Sequence, residues 1–178
     1  MADYSQALKE AYASAPVDQV IFDTLEIYHP AFVDDDGNPA PARLVRAYED
    51  LFAVLEPTAP MNPGQQVRFQ AMAFDFVLPG FEEGRTPELK ITVDNVGREL
   101  MGYLEAAASD PTQVTVIYRP YLISDLSGPQ MDPPITMLVT SVSADVFQVQ
   151  ISASLDDVNN WAFPHRLYQP NDFPGLVR

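Results

Sequence analysis

Apolar and polar residues alternate along much of this chain, in short runs separated by proline and turn residues. Residues 20–28, VIFDTLEIY, are rich in β-branched and aromatic side chains and predict a strand. His29-Pro30 closes it, since proline cannot donate to a ladder and pushes its predecessor to extended geometry. Residues 42–48 supply a return strand, with the Asp-Gly turn of Asp34-Asp35-Asp36-Gly37-Asn38 between the two. Residues 66–78, QVRFQAMAFDFVL, form the longest predicted strand. Val67, Phe69, Ala71 and Ala73 lie on one face and Met72, Phe74 and Phe76 on the other, so both faces expect cover.

The segment 87–121 reads as strand, helix, strand. Leu89, Ile91 and Val93 alternate with polar residues, and Asp94 or Asn95 caps a helix over 95–108. Val96, Leu100, Met101 and Leu104 make its apolar stripe, and Ser109-Asp110-Pro111 ends it. Val114, Val116 and Tyr118 then resume the alternation. Residues 135–142 and 146–155 predict a hairpin turning at Ser143-Ala144-Asp145, with Phe147, Val149, Ile151 and Ala153 facing inward. A short amphipathic helix over 5–14 places Ala7, Leu8, Ala11 and Tyr12 on one side, and Pro16 stops it. A helix this short must dock to persist. The fold class expected is mainly β with helices (α+β): a β-sandwich or barrel with one flanking helix and a short N-terminal helix. One domain is expected over 1–157, followed by a segment 158–178 that is aromatic and proline-punctuated without periodicity. Trp161, Phe163, Tyr168 and Phe173 make that segment too apolar for a solvating tail, so it is expected to lie extended on its own body or a neighbour.

Composition narrows the chemistry. The chain of 178 residues has no cysteine, which removes thiol nucleophiles, thiolate zinc sites and iron–sulfur clusters. Its 10 basic and 25 acidic residues give a formal net charge of −15, a balance that repels nucleic-acid phosphates and anionic membranes. No apolar run approaches the ~18 residues of a membrane span, and no secretion signal is visible, so membrane insertion and export by the usual route are not expected. Seventeen prolines against eight glycines favour bounded strands over long helices.

Candidates for catalysis are few. His29 and His165 have no partner at metal-ligand spacing, and no nucleophile elbow, zinc motif or phosphate loop is present. At Arg43 the Asp34–Asp36 run lacks the closing glutamate of a calcium loop, which favours a plain turn. Catalytic, cofactor-binding and metal-binding residues are therefore expected to be none, and the chain is not expected to be an enzyme. Tyr118, Arg119 and Tyr121 have the composition of a contact surface, because tyrosine and arginine are enriched where partners meet. With Trp161, Phe163, Tyr168 and Phe173 they are the candidate inter-subunit residues.

The stretches KEAYASAPVDQVIFDTLEIYHPAF, ITVDNVGRELMGYLEAA, VIYRPYLISDLSGPQMDPP and FPHRLYQPNDFPGL resemble a family of uncharacterised tailed-bacteriophage and prophage proteins, a domain of unknown function. The resemblance runs from about residue 5 to residue 176. It implies a virion protein of the tail tip or baseplate, of the distal-tail or hub-adaptor type, passing through the host cytoplasm during assembly. It implies a ring of six-fold or three-fold order, with the tail tube, tape measure and central hub or fibre as neighbours. No catalytic residue or cofactor carries over. DNA would pass without specific binding, and fixed negative charge on the channel wall would help, so Asp34, Asp35, Asp36, Glu82 and Glu83 are the candidate channel-facing acids. An assembly chaperone absent from the virion and a host-surface carbohydrate-binding module are the other classes left open.

Overall fold

The structure, a computed structural model, describes residues 3–14, 19–34, 37–77, 88–94, 102–103, 107, 110, 112–145 and 148–155. In chain order the elements are β1 (Asp3–Tyr4), α1 (Gln6–Ser14), β2 (Ile21–Tyr28), β3 (Ala42–Val45), β4 (Leu51–Val54), β5 (Gln66–Ala71), β6 (Phe74–Val77), β7 (Glu88–Asp94), β8 (Thr115–Leu122), β9 (Met131–Asp132), β10 (Ile135–Ala144) and β11 (Gln148–Ser154). The chain is mainly β with a short helix. Nine strands form one mixed sheet in the order β4-β5-β3-β2-β8-β10-β11-β7-β6, and β1 pairs with β9 in a separate ribbon. Only β3 and β5 run parallel, over Leu44↔Gln70 and Val45↔Ala71.

The sheet is strongly curled. β5 and β6 lie far apart in the strand order, yet only Met72 and Ala73 separate them in sequence, a reach of at most about 11 Å. To satisfy this, the β6 end must come back round to β3 and β5. The Met72 N–H donates to Val45 O at 3.0 Å, and the Phe76 ring meets Tyr118 of β8 at 5.4 Å. The described strands thus make a single curled, barrel-like sheet rather than two stacked ones.

Alternation explains what fills it. Leu25 and Ile27 of β2, Leu44 of β3, Ile91 and Val93 of β7, Val116 of β8, Met137 of β10 and Val149 and Ile151 of β11 share one interior cluster. Burying each such side chain stabilises by roughly 1.5–3 kcal/mol relative to exposure. A second cluster lies on the outer face. There the β4–β5 hairpin folds back over the sheet, and Leu51, Ala53, Val67 and Phe69 pack on Val45 and Tyr121. The long two-faced segment expected over 66–78 is therefore bent into two strands. Its odd positions Val67, Phe69 and Ala71 serve the outer cluster and its even positions Met72, Phe74 and Phe76 serve the interior one. Its second cover comes from the same chain.

β7 and β8, read as the two strands of one strand–helix–strand unit, are separated in the sheet by β10 and β11, and the long connection after β7 makes a Greek-key arrangement. Most of the helix expected over 95–108 falls outside the described residues, although Gly102, Tyr103 and Ala107 are helical. The return strand of 42–48 ends at Val45, because residues 46–49 bend away. β4 was not anticipated, since its four residues LFAV are too short to show a period. The hairpin of β10 and β11 pairs as expected, antiparallel from Leu138↔Ser154 to Ala144↔Val149, with an irregularity between Val139 and Ser141.

α1 forms where the 3.6-residue pattern placed it. The Ser5 hydroxyl accepts from the Leu8 N–H at 3.1 Å, capping the first turn, and donates to Gln130 Oε1 at 2.7 Å. Docking is narrower than the expected stripe. Leu8 is fully buried against Leu122 and Ile21, whereas Ala7 and Tyr12 are exposed.

Candidate functional site

Each central strand carries a charge inside an apolar run: Asp23 and Glu26 in β2, Arg43 in β3, Arg119 in β8. A strand covered on both faces cannot leave such a charge unpaired, because burying a lone ion costs several kcal/mol. The fold resolves this beneath the β4–β5 hairpin. On the outward face of the sheet, Arg119 is fully buried and forks onto Glu56, with Nε and Nη2 donating to the two carboxylate oxygens at 2.8 Å each. Its Nη1 lies 3.6 Å from Glu26 Oε2, which also accepts from Arg43 Nε at 2.8 Å. Arg43 Nη2 then donates to Asn62 Oδ1 at 2.9 Å. Two cations and two anions form a neutral buried quartet.

The turn after β4 positions two of its members. The Glu56 carbonyl accepts from the N–H groups of Ala59 and Gly64 at 3.1 and 3.2 Å, fixing the residue that meets Arg119. Asn62 sits in the left-handed region at φ 55°, a conformation its short polar side chain tolerates. The Asn62-Pro63-Gly64 turn is thus a support for the quartet. Burial by itself pulls the Arg119 guanidinium down, but the hydrogen bonds to Glu56 and the charge of Glu26 outweigh it and hold its pKa above its ordinary value. Glu26 Oε1 and Arg119 Nη1 have no hydrogen-bond partner.

A second group lies at one end of the interior. The Tyr118 hydroxyl donates to Asp23 Oδ1 at 2.8 Å, and Arg46 Nη2 donates to Asp23 Oδ2 at 2.6 Å. Arg46 also covers the Phe76 ring, 5.1 Å from its centre, and reaches Asp75 at 3.6 Å. The half-exposed guanidinium borders an open pocket of about 570 Å³, whose rim includes Tyr48, Phe74, Asp75, Thr92 and Asp94.

Burial first, and then the negative charge of Asp23, pushes the Tyr118 phenol well above its ordinary 10.0. Burial likewise raises Tyr121, against the pull of Arg119. Above about pH 10 the unfolded chain loses these protons while the folded chain keeps them, so folded protein binds more protons and stability falls as pH rises. An alkaline titration followed by phenolate absorbance should show Tyr118 and Tyr121 ionising only together with unfolding. A smooth titration of all eight tyrosines in still-folded protein would contradict this.

These positions overturn one expectation. Tyr118, Arg119 and Tyr121 are each fully buried: Arg119 and Tyr121 join the sheet to its hairpin and Tyr118 faces the interior, so none of the three presents its side chain as a surface. Their aromatic and cationic character serves internal packing: Phe69 meets Tyr121 at 5.9 Å, and the Tyr121 hydroxyl donates to Val54 O at 3.0 Å. Trp161, Phe163, Tyr168 and Phe173 lie outside the described residues, as do Asp35, Asp36, Glu82, Glu83 and His165. Asp34 is exposed and closes a turn. Its carbonyl accepts from the Gly37 N–H at 2.9 Å and its carboxylate from the Asn38 N–H at 2.8 Å, with Gly37 at φ 82°. His29 is buried, with Nδ1 accepting from the Ala31 N–H at 3.1 Å and Nε2 facing Thr112 O at 3.0 Å. Nδ1 being an acceptor places the proton on Nε2, and the ring ties the end of β2 to the approach to β8. Sequence reasoning missed Asp23, Glu26, Arg43 and Glu56. The signal was charge within apolar strands, legible in IFDTLEIY and ARLV.

The arrangement is a mainly β fold in which the charged groups of the central strands pair largely with one another. The chain belongs to the family described as a domain of unknown function (DUF1833), which it matches over residues 7–168. No curated protein matches it.

Proposed function

We propose that the chain is a structural subunit of a bacteriophage or prophage-derived tail tip, forming a ring as a distal-tail or hub-adaptor protein between the tail tube and the central hub or fibre. Support comes from the resemblance of its motifs to tail-module proteins. The observation that carries the non-catalytic part is that the charged groups of the central strands are consumed internally: Asp23, Glu26, Glu56, Tyr118 and Arg119 are paired with one another, with Arg43 and with the half-exposed Arg46. That is the use of polar groups expected of a scaffold. On this reading its partners are further copies of itself and the neighbouring tail proteins, it resides in the virion after assembly in host cytoplasm, and DNA passes without specific binding.

Quantitative mass spectrometry of purified particles tests the proposal. A fixed stoichiometry per particle is expected. Abundance in the infected cell with absence from particles would replace it with the chaperone reading, and saccharide binding on a glycan array with the host-recognition reading. In the assembled ring the exposed Asp34 turn and the 82–83 loop are expected to face the channel. A lumen without them would remove the electrostatic part of the proposal.

A further inference from the structure

The buried quartet consists of two pairs that do not quite meet. On one side Arg119 is locked to Glu56 by two hydrogen bonds of 2.8 Å, donated by Nε and Nη2. On the other, Glu26 Oε2 accepts from Arg43 Nε at 2.8 Å, and Arg43 is held in turn by Asn62 Oδ1 at 2.9 Å. The groups that face each other across the middle are Arg119 Nη1 and the Glu26 carboxylate. They lie 3.6 Å apart at Oε2, beyond hydrogen-bond length. Closing that gap directly would stretch a bond on one side or the other.

Two polar atoms are left over at the gap. Among the described residues Arg119 Nη1 is a donor without an acceptor, and Glu26 Oε1 is an acceptor without a donor. Neither side chain has any exposed surface, so bulk solvent does not reach them. The site is built from β2, β3, β8 and the turn 55–65 that follows β4, each described without a break.

We propose that the quartet is a binding site for one internal water molecule, which accepts from Arg119 Nη1, donates to Glu26 Oε1 and so joins the two pairs into one network. The chemistry selects water over an ion. Two cations and two anions already balance, so an added ion would bring an uncompensated charge into a buried site. A cation would satisfy only the carboxylate, and an anion only the guanidinium. Water serves both, because it donates and accepts. Reach agrees with this. With bonds of about 2.9 Å to nitrogen and about 2.8 Å to oxygen, a single water joins atoms up to about 5.7 Å apart. Oε1 is bonded to the same carbon as the Oε2 that lies 3.6 Å from Nη1, so one molecule is enough to connect the pair. Waters held by two to four buried polar groups are a regular part of protein interiors. The site is independent of whether the chain works in a phage tail.

A high-resolution crystal structure of the full chain tests the proposal. A single peak of density at close to full occupancy is expected, within hydrogen-bond distance of both Arg119 Nη1 and Glu26 Oε1. Neutron diffraction from crystals exchanged into heavy water then reads the orientation of the molecule. One deuterium should point at Glu26 Oε1, and the oxygen should face the Arg119 guanidinium. A direct Arg119–Glu26 hydrogen bond with no density between the two overturns the proposal. So does a gap that is empty in a map showing other internal waters, or one filled by an ion, identified by its anomalous scattering. A water whose deuteriums both point away from Glu26 overturns the assignment of its partners.

Discussion

Replacing Arg119 with alanine is expected to lower the unfolding free energy by about 3–5 kcal/mol, the range for breaking a buried ion pair from one side. Arg119 is fully buried, as is the Glu26 side chain, and the Glu56 side chain is only 10% exposed. Removing the cation strands the Glu56 carboxylate under the β4–β5 hairpin and leaves Glu26 with Arg43 alone. Urea denaturation of both proteins measures the loss. Combining Arg119→Met with Glu56→Gln should recover most of it, because the uncompensated charge does the damage and the Arg43–Glu26 pair stays balanced. A loss below about 1 kcal/mol for Arg119→Ala would mean the group behaves as a solvated surface pair.

Tyr121→Ala is expected to be almost as damaging, at about 3–5 kcal/mol for a fully buried aromatic in the outer cluster. Its second effect is qualitative. The hydroxyl covers the Val54 carbonyl, so Tyr121→Phe, which keeps the ring against Phe69, should lose about 1–3 kcal/mol and open part of the β4 edge. Both variants should therefore self-associate more than the parent. Light scattering across a concentration series, alongside thermal unfolding, separates the packing loss from the edge effect. If Tyr121→Phe stays monodisperse at concentrations where Tyr121→Ala associates, the hydroxyl is not the cap.

Strands with one interior face were legible from sequence because burial imposes a two-residue period. That is how β7, the start of β8 and the β10–β11 hairpin could be read, whereas β2, covered on both faces, was read from its β-branched and aromatic composition. The failures share a cause. β4 is too short to display a period, and the order of strands depends on contacts far apart in sequence. The separation of β7 from β8 in the sheet was not legible, because a linear pattern carries no information about what inserts between two strands. At the site, Tyr118, Arg119 and Tyr121 were singled out for good chemical reasons and placed on the wrong side of the boundary between surface and interior. YRPY alone cannot distinguish an arginine awaiting a partner from one already held by Glu56, 63 positions earlier. The counter-charges were visible in the sequence, but their meeting is a property of the curl.

The bend at Met72-Ala73 has a consequence for how this chain can vary. Before the bend the odd residues Val67, Phe69 and Ala71 belong to one hydrophobic cluster, and from the bend on the even residues Met72, Phe74 and Phe76 belong to the other. The segment therefore has a reading frame. Deleting one residue at Met72 or Ala73 would shift the downstream phase, directing Phe74 and Phe76 out of the interior and Asp75 into it. Side chains here can exchange for others of similar size, but single-residue insertions and deletions cannot be absorbed as they are in a loop. Length, more than identity, is the conserved quantity expected of this segment.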